Sequence, residues 1–341
     1  MENIDELTKH LRSTLGNEDL VYIRPVTGGY INEAALYGDR EVPGTEASKK
    51  LFVKYNTRKE TKSVFYCERE SLSLIKQTGV IRVPQIYQVL DYPVDSDDGA
   101  RRDGGVIVGE YLENLRPVGE SDDWRKCGEK IAKLHADNLH KLEKWRLNEE
   151  SSIHAENRRC RPVEKFGFHC RSYFGHFGTE PMWSDSWTEY LSRFCLEPLF
   201  RYAINEFRDR EIAELWSELR LKLHTFFDDD VICPSLLHGD CCSANIGIIP
   251  ENGEIVTYDA QSRYGHHELD FVANLVERKF PDSFFSGYFE VLPITDASSV
   301  AAADHERRRL LYRMFGYFLY WTHGGGEEYR EKTIRDLKTL L

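Results

Sequence analysis

Three polar residues, Asp240, Asn245 and Asp259, have types and a spacing that could hold a divalent cation and activate a hydroxyl group. They lie in one stretch, which reads LLHGDCCSANIGIIPENGEIVTYD. Its Asn-Gly pair between two apolar runs predicts a β-hairpin, and antiparallel pairing would put Asn245 beside Asp259, with paired positions about 5 Å apart. The short loop HGDCCSAN holds Asp240 next to both. Two carboxylates and a carboxamide would therefore converge at the open end of the hairpin, where they could hold magnesium and a hydroxyl that must lose its proton.

The order of these residues matches the layout of a kinase catalytic loop. Phosphoryl transfer needs a group that orients and deprotonates the attacking hydroxyl, and it needs oxygen ligands for Mg²⁺ at the phosphates. Asp240 would be the first group, and Asn245 and Asp259 would be the ligands. The alternative is a capping aspartate with an asparagine in a turn, both of which are common at loop tips. The ordered set around a hairpin favours the catalytic interpretation.

A second candidate pair lies far upstream. Lys54 is inside the apolar run LFVKY, where an ammonium group is costly unless it reaches a partner. In the small lobe of a kinase such a lysine holds the α- and β-phosphates of ATP and pairs with a glutamate of the next helix. Glu68 is the better-placed partner, because Arg69 and Glu70 could form a solvated pair. The alternative is an edge-strand lysine that faces solvent.

Two shorter signals flank this pair. Gly28-Gly29 would form a turn whose backbone amides can approach phosphate without obstruction by Cβ. On their own, two glycines are better explained by a plain hairpin turn, and only their position ahead of LFVKY favours ATP. Glu110 and Leu112 end the strand GGVIVGEYL, where backbone groups could pair with an adenine ring or simply link two lobes.

The composition indicates a soluble globular protein with two lobes, because 341 residues exceed what one compact core usually carries. The formal net charge of −12 argues against nucleic acid or an anionic membrane as a partner. The N-terminal stretch has no apolar core of signal-peptide type and no run is long enough to span a bilayer, which predicts a cytoplasmic protein. The eight cysteines form no CxxC pair, so reduced thiols are expected and a zinc site is not.

The pattern of elements predicts an α+β fold. Residues 1–112 indicate a small β-rich lobe: a helix over 3–15, then a largely antiparallel sheet over 20–112 with one inserted helix. IRVPQIYQVL is expected to be a strand, and DYPVDSDDGARRDGG a charged connector. Residues 113–341 indicate a larger, mainly helical lobe in which the hairpin is embedded.

The stretch YGHHELD invites a metal-binding interpretation through His266, His267 and Glu268. Adjacent histidines point in different directions on most backbones, which argues against a shared metal. A structural role for this stretch, behind Asp259, is the better prediction.

Several segments resemble those of the fructosamine-3-kinase (ketosamine-3-kinase) family, within the wider aminoglycoside/choline-kinase-like group. They are GGYINEA, LFVKYNTR, KFGFH, LLHGD, YGHHELD and FPDSFF, and they extend over nearly the whole chain. The resemblance implies a bilobal protein-kinase-like fold that uses ATP and Mg²⁺. It implies transfer of the γ-phosphate to the 3-hydroxyl of a ketosamine, such as fructosamine or ribulosamine, free or on a protein lysine. The phosphorylated adducts are unstable, so the family is associated with deglycation.

The resemblance also implies roles for individual residues. Asp240 becomes the catalytic base, Asn245 and Asp259 become magnesium ligands, and Lys54 and Glu68 become the phosphate-binding pair.

On the substrate side the family's motifs point to His169, Cys242 and Glu268. The family's loop usually reads HGDLWSGN, whereas this chain has HGDCCSAN, and Cys242 cannot stack on a sugar as an aromatic side chain can. Residues 178–181 also differ from the family's pattern. Two alternatives therefore stay open: a kinase for another small hydroxyl compound, aminoglycoside-like or choline-like, and a nucleotide-binding module without catalysis.

Overall fold

The structure of the chain, a computed structural model, describes residues 4–27, 31–40, 50–95, 101–150, 161–277, 280–293 and 299–341. The chain divides into two compact units. The first combines Met1–Ser73 with Val83–Leu115, and the second combines Leu74–Arg82 with Arg116–Leu341. The assignment of residues 1–112 to ATP and of residues 113–341 to catalysis stays a prediction.

The first unit is an antiparallel sheet with a helix inserted into it. Helix α1 (Ile4–Leu15) precedes the sheet, and α2 (Thr61–Thr78) lies between its third and fourth strands in the chain. The strands are β1 (Leu20–Val26), β2 (Glu33–Asp39), β3 (Leu51–Asn56), β4 (Ile86–Asp95) and β5 (Arg101–Glu110). They pair in the order β1-β2-β3-β5-β4. The expected antiparallel sheet with one inserted helix is confirmed, and so is the helix over 3–15.

Two strand boundaries predicted for residues 1–112 were wrong. The strand expected over IRVPQIYQVL begins only at Ile86, and Pro84 lies in the segment that leads into it. The charged stretch expected as a connector is largely strand, because β4 continues to Asp95 and β5 starts at Arg101. Strand preference depends strongly on position in the sheet. β4 is an edge strand, where the backbone ladder with β5 tolerates a polar sequence.

The second unit is mainly helical. Its helices are α3 (Ser121–Glu150), α4 (Trp187–Tyr190), α5 (Glu197–Glu206), α6 (Arg210–Lys222), α7 (Val272–Val276), α8 (Asp282–Val291), α9 (Ser299–Tyr320) and α10 (Glu327–Leu340). Buried side chains of α4, α5, α6, α9 and α10 form an aromatic core, in which Trp187, Tyr190, Phe200 and Phe318 are fully buried. Phe166 and Leu237 belong to the same apolar cluster.

Three small sheets accompany these helices. Their strands are β6 (Arg116–Pro117), β7 (Phe166–Gly167), β8 (Ser172–Phe174), β9 (Phe177–Thr179), β10 (Trp183–Ser184), β11 (Ser235–Leu237), β12 (Ile246–Ile249), β13 (Glu254–Thr257) and β14 (Arg263–Gly265). The predicted hairpin is confirmed as β12 and β13, and β6 adds to it. The sequence did not predict the four-stranded sheet β10-β7-β14-β11. Strands of two or three residues are too short to show a periodic pattern.

Among the seven cysteines that the structure describes, no two are joined by a disulfide. Across the described ranges, no helix combines the length and the apolar character needed to cross a bilayer.

Candidate active site

The hairpin places Asn245 at its open end. β12 and β13 pair from Ile246 opposite Thr257 to the turn. Just before the first of these positions, the carbonyl of Asn245 accepts the Tyr258 N–H at 3.1 Å and the Thr257 hydroxyl at 2.9 Å. Asp259 follows directly and has a positive φ of 61°, a conformation that non-glycine residues seldom adopt. The predicted neighbourhood of Asn245 and the end of the second strand is therefore present in the fold.

Asn245 also binds Asp240. Its side-chain nitrogen Nδ2 donates to the Asp240 carbonyl at 2.9 Å and to the Asp240 carboxylate oxygen Oδ2 at 2.8 Å. Asn245 is buried, so these two bonds fix its amide. Because the nitrogen makes both contacts, Oδ1 is the Asn245 atom that would bind a cation. Carboxylate and carboxamide oxygens are the hard ligands that Mg²⁺ prefers, so Oδ1 of Asn245 and the carboxylate of Asp259 fit that ion.

Gly239 allows the loop that carries Asp240 to pack closely against the start of β14. Gly239 has a φ of +88°, and a Cβ placed on it would lie 1.9 Å from the carbonyl oxygen of Gln261. The N–H of Gln261 also donates to the His238 carbonyl at 2.8 Å. Only glycine fits this close approach, which explains the residue type in the HGD segment.

Asp270 binds the backbone of the same loop. The sequence did not predict this residue as part of the site. Its carboxylate accepts the backbone N–H groups of His238 and Gly239, each at 2.7 Å. It also lies 2.9 Å from Nε2 of His135, on α3. Burial alone would raise the pKa of Asp270, but the hydrogen bonds and charges of His135 and the loop bring that pKa below its ordinary value. The available signal was an aspartate in the otherwise apolar end of the run HELDF.

A chain of hydrogen bonds continues outward from Asp270. Nδ1 of His135 lies 2.8 Å from the Tyr288 hydroxyl, which lies 3.0 Å from Nδ1 of His267. The Tyr288 hydroxyl therefore bridges the rings of His135 and His267. Burial lowers the pKa of His267 well below its ordinary value, so this ring is neutral. The network connects His267 to the HGDCCSAN loop through Tyr288, His135 and Asp270.

Glu268 lies in a separate cluster of charged groups. Ligand atoms of His266, His267 and Glu268 lie within 4.8 Å of one another, as a metal site would need. However, the carboxylate of Glu268 accepts two hydrogen bonds from Arg308 at 2.8 and 3.0 Å and lies 3.1 Å from His305. A guanidinium on the carboxylate competes with a metal ion, so these contacts favour a structural role. The contact of Glu268 with substrate stays a prediction.

The other two residues predicted for the substrate side differ in exposure. His169 is exposed, and its ring centroid lies 4.5 Å from that of Phe168. Cys242 is fully buried, as is its neighbour Cys241. The HGDCCSAN loop therefore presents no side chain at position 242 that could stack on a sugar, and both substrate assignments stay predictions.

In the first unit, the predicted pair of Lys54 and Glu68 is present. Nζ of Lys54, on β3, lies 2.6 Å from Oε2 of Glu68, on α2, and the two side chains are only 10% and 6% exposed. The rival Glu70 is instead bound by Arg69 at 2.9 and 3.1 Å. The alternative of a solvent-facing edge lysine is therefore wrong, because β3 is an inner strand and Lys54 is buried. The contact of this pair with phosphate stays a prediction.

The other residues predicted to bind ATP are Gly28, Gly29, Glu110 and Leu112. Gly28 and Gly29 lie outside the described residues. The N–H of Glu110 donates to the Gln85 carbonyl at 2.8 Å, and the Glu110 carboxylate accepts the Gln85 N–H at 3.0 Å. Leu112 is half-buried beyond the end of β5. A role of Glu110 and Leu112 in adenine binding stays a prediction.

Comparison with known proteins identifies the family. The family model described as fructosamine kinase matches residues 3–341. A ketosamine-3-kinase of Mus musculus is 30% identical over 85% of this chain and 88% of its own length. A chloroplastic protein-ribulosamine 3-kinase of Oryza sativa subsp. japonica is 28% identical over 88% and 73%. The solved structure of a fructosamine-3-kinase candidate from Thermobifida fusca matches with a TM-score of 0.69 at 16% identity, over 99% of both chains. The structure of a thermostable mutant of the aminoglycoside phosphotransferase APH(4)-Ia, in a complex with ADP and hygromycin B, matches with a TM-score of 0.58 at 13% identity. That match covers 98% of this chain and 97% of the phosphotransferase. These structures share the fold, which confirms the expected α+β kinase-like class. The chain belongs to the fructosamine kinase family.

Proposed function

We propose that this chain is an ATP- and magnesium-dependent phosphotransferase that phosphorylates the 3-hydroxyl of a ketosamine, either free or bound to a protein. The observation that carries the proposal is the contact between Asn245 and Asp240 at the open end of the hairpin. The backbone of Asn245 also binds Tyr258, the residue directly before Asp259. The names of the relatives, ketosamine-3-kinase and protein-ribulosamine 3-kinase, support this substrate class. Because phosphorylated ketosamines are unstable, the reaction would lead to deglycation.

Each residue has a role in this proposal. Asn245 donates to Oδ2 of Asp240, which fixes the direction of Oδ1, the oxygen that would take the proton of the attacking hydroxyl. Oδ1 of Asn245 and the carboxylate of Asp259 would hold Mg²⁺, which supplies positive charge at the phosphate oxygens when bound. Lys54, oriented by Glu68, would bind the α- and β-phosphates.

The substitution Asp240→Asn tests the assignment of the base. It keeps the size of the side chain and removes its ability to accept a proton. We expect phosphorylation to fall by at least about 100-fold, as for loss of a general base, with ATP affinity little changed. Turnover would be measured by coupled ADP release and ATP affinity by calorimetry. Asp230→Asn is the matched control, since Asp230 is exposed. Retained turnover in Asp240→Asn contradicts the role of Asp240.

A second candidate acceptor follows from the burial of Cys242. The family's usual loop has an aromatic residue at this position, and this chain presents none there. A kinase of this fold could then act on another small hydroxyl compound. Fructosamine, ribulosamine and an amino alcohol would be compared as acceptors at equal concentration by ADP release. Signal with a ketosamine supports the first function, and signal only with the amino alcohol supports the second.

The surroundings of the enzyme are part of the proposal. A formal net charge of −12 argues against nucleic acid or an anionic membrane as partner. The described cysteines form no disulfide, which fits a reducing, cytoplasmic location.

A further inference from the structure

The four-stranded sheet brings several segments to the same end as the catalytic loop. All neighbours in the order β10-β7-β14-β11 are antiparallel. Strands β11 and β7 therefore end, and β14 and β10 begin, at one end of the sheet. The catalytic loop leaves β11 there, starting with His238, and His169 lies two residues beyond β7. Met182 lies at the same end, immediately before Trp183, the first residue of β10.

The register places Trp183 in one row with the strand that leads to the catalytic loop. Leu236 is opposite Tyr264, Tyr264 is opposite Gly167, and Gly167 is opposite Trp183. The rings of Tyr264 and Trp183 lie 6.3 Å apart, on either side of Gly167 in this row. Gly167 has a φ of +143°, and a Cβ on it would lie 2.1 Å from the carbonyl of Met182, so only glycine lets β10 come this close. With neighbouring strands about 4.8 Å apart, β10 lies about 14 Å from β11.

Met182 and Trp183, called here the 182–183 patch, are large apolar side chains in contact with solvent. Met182 is 44% exposed and Trp183 is 39% exposed. Tryptophan is enriched among the residues that dominate binding energy at interfaces. Cys242 is buried and cannot take this role, whereas Trp183 and the ring of His169, two residues beyond β7, are exposed at this end of the sheet.

The distance selects which part of the substrate could reach the patch. In a ketosamine on a lysine, nine bonds join the sugar O3 to the lysine Cα, which corresponds to about 11 Å for an extended chain. A hydroxyl placed at Asp240 therefore puts the sugar near the HGDCCSAN loop, and β10, about 14 Å from β11, lies within reach of the polypeptide that flanks the modified lysine. An apolar surface suits the side chains that flank the modified lysine better than it suits the sugar hydroxyls.

We infer that the 182–183 patch binds the polypeptide segment that carries the ketosamine. This inference rests on the proposed function and adds a residue that determines specificity. Trp183 would lower KM for a ketosamine on a peptide and leave a small free ketosamine unaffected.

Two substrates and three variants of the full chain test the inference. The substrates are the ketosamine of ethylamine and a heptapeptide whose central lysine carries the same sugar between apolar neighbours. For Trp183→Ala we expect kcat/KM for the peptide to fall about 10-fold through KM, as for truncation of an interface tryptophan. The value for the ethylamine adduct should stay within about twofold of wild type, a change too small for a lost contact. Trp183→Phe should recover most of the loss. Leu221→Ala is the matched control, because Leu221 is 70% exposed and lies on α6.

An equal loss for both substrates, or no loss for either, overturns the inference. If wild type phosphorylates no ketosamine, the proposed function has failed, and calorimetry still decides the role of the patch. In that experiment the glycated peptide would be titrated into wild type and Trp183→Ala. A larger dissociation constant for Trp183→Ala than for wild type supports the binding role of the patch, and equal constants overturn it.

Discussion

Asp270→Asn is the substitution that best separates positioning of the catalytic loop from chemistry. The carboxylate of Asp270 accepts the N–H groups of His238 and Gly239, each at 2.7 Å, and a bond from His135 at 2.9 Å. An amide of the same shape keeps one acceptor oxygen and turns the other position into a donor. One hydrogen bond is then replaced by a contact between two donors, and the remaining bonds lose the help of the charge.

The magnitude follows from these contacts. Hydrogen bonds to a charged group contribute about 1.5–3 kcal/mol each, and breaking a buried charged pair costs about 3–5 kcal/mol. We therefore expect Asp270→Asn to lower the free energy of unfolding by about 3–5 kcal/mol. Asp240 is two residues from His238, and a displacement of about 1 Å at a reacting group costs about 100-fold in rate. The variant should accordingly lose about 100-fold in kcat although Asp270 is buried and acts through the backbone of the loop.

The pH dependence has a defined sign. The pKa of Asp270 is lower in the folded state than its ordinary value, so its contribution to stability is complete above the unfolded pKa of about 3.9. That contribution is lost as the pH falls through the folded pKa. The difference between wild type and Asp270→Asn should therefore be constant at neutral pH and shrink in acid.

Urea unfolding at pH 7 and at acidic pH, together with kcat by ADP release, measures these effects. Asp230→Asn serves as control for the loss of an exposed carboxylate. If Asp270→Asn does not fold, Tyr288→Phe removes only the hydroxyl that hydrogen-bonds to His135 and should cost about 1 kcal/mol. A folded Asp270→Asn within about 1 kcal/mol and about twofold of wild type would refute the reasoning, since such changes are ordinary for surface sites.

Two further substitutions test the ion pairs Lys54–Glu68 and Arg308–Glu268. Glu68→Gln leaves the buried Lys54 without its counter-charge, so we expect a loss of about 3 kcal/mol in unfolding free energy and a raised KM for ATP; an unchanged KM measured by ADP release contradicts the phosphate role. Arg308→Met leaves Glu268 without its guanidinium partner. Burial raises and the neighbouring cationic groups lower the pKa of Glu268, with a net value well below its ordinary one, so its stabilising effect is present above the unfolded pKa of about 4.3 and is lost in acid. The variant should be about 3 kcal/mol less stable at pH 7 by urea unfolding, with a smaller difference below pH 4; a difference independent of pH contradicts this assignment.

The local features of the site could be predicted because each depends on neighbours in sequence. The Asn-Gly turn between apolar runs fixes the register of β12 and β13, and the register puts Asn245 beside Tyr258. The pairing of Lys54 with Glu68 follows from a lysine within an apolar strand and a glutamate on the next helix. Helical periodicity likewise predicted the helix over 3–15, and the β-rich runs predicted the antiparallel sheet of the first unit.

The sequence by itself determined the chemistry that the hairpin end can perform, because residue types and spacing act locally. Only the tertiary structure decided what supports and surrounds it. Asp270 meets the catalytic loop through backbone N–H groups, which carry no sequence signal, and His135 lies 135 residues away from it in the chain. The two-residue strands β7 and β10 exist because neighbouring strands pair with them, so no local pattern could place Trp183 at the same end of the sheet as Asp240.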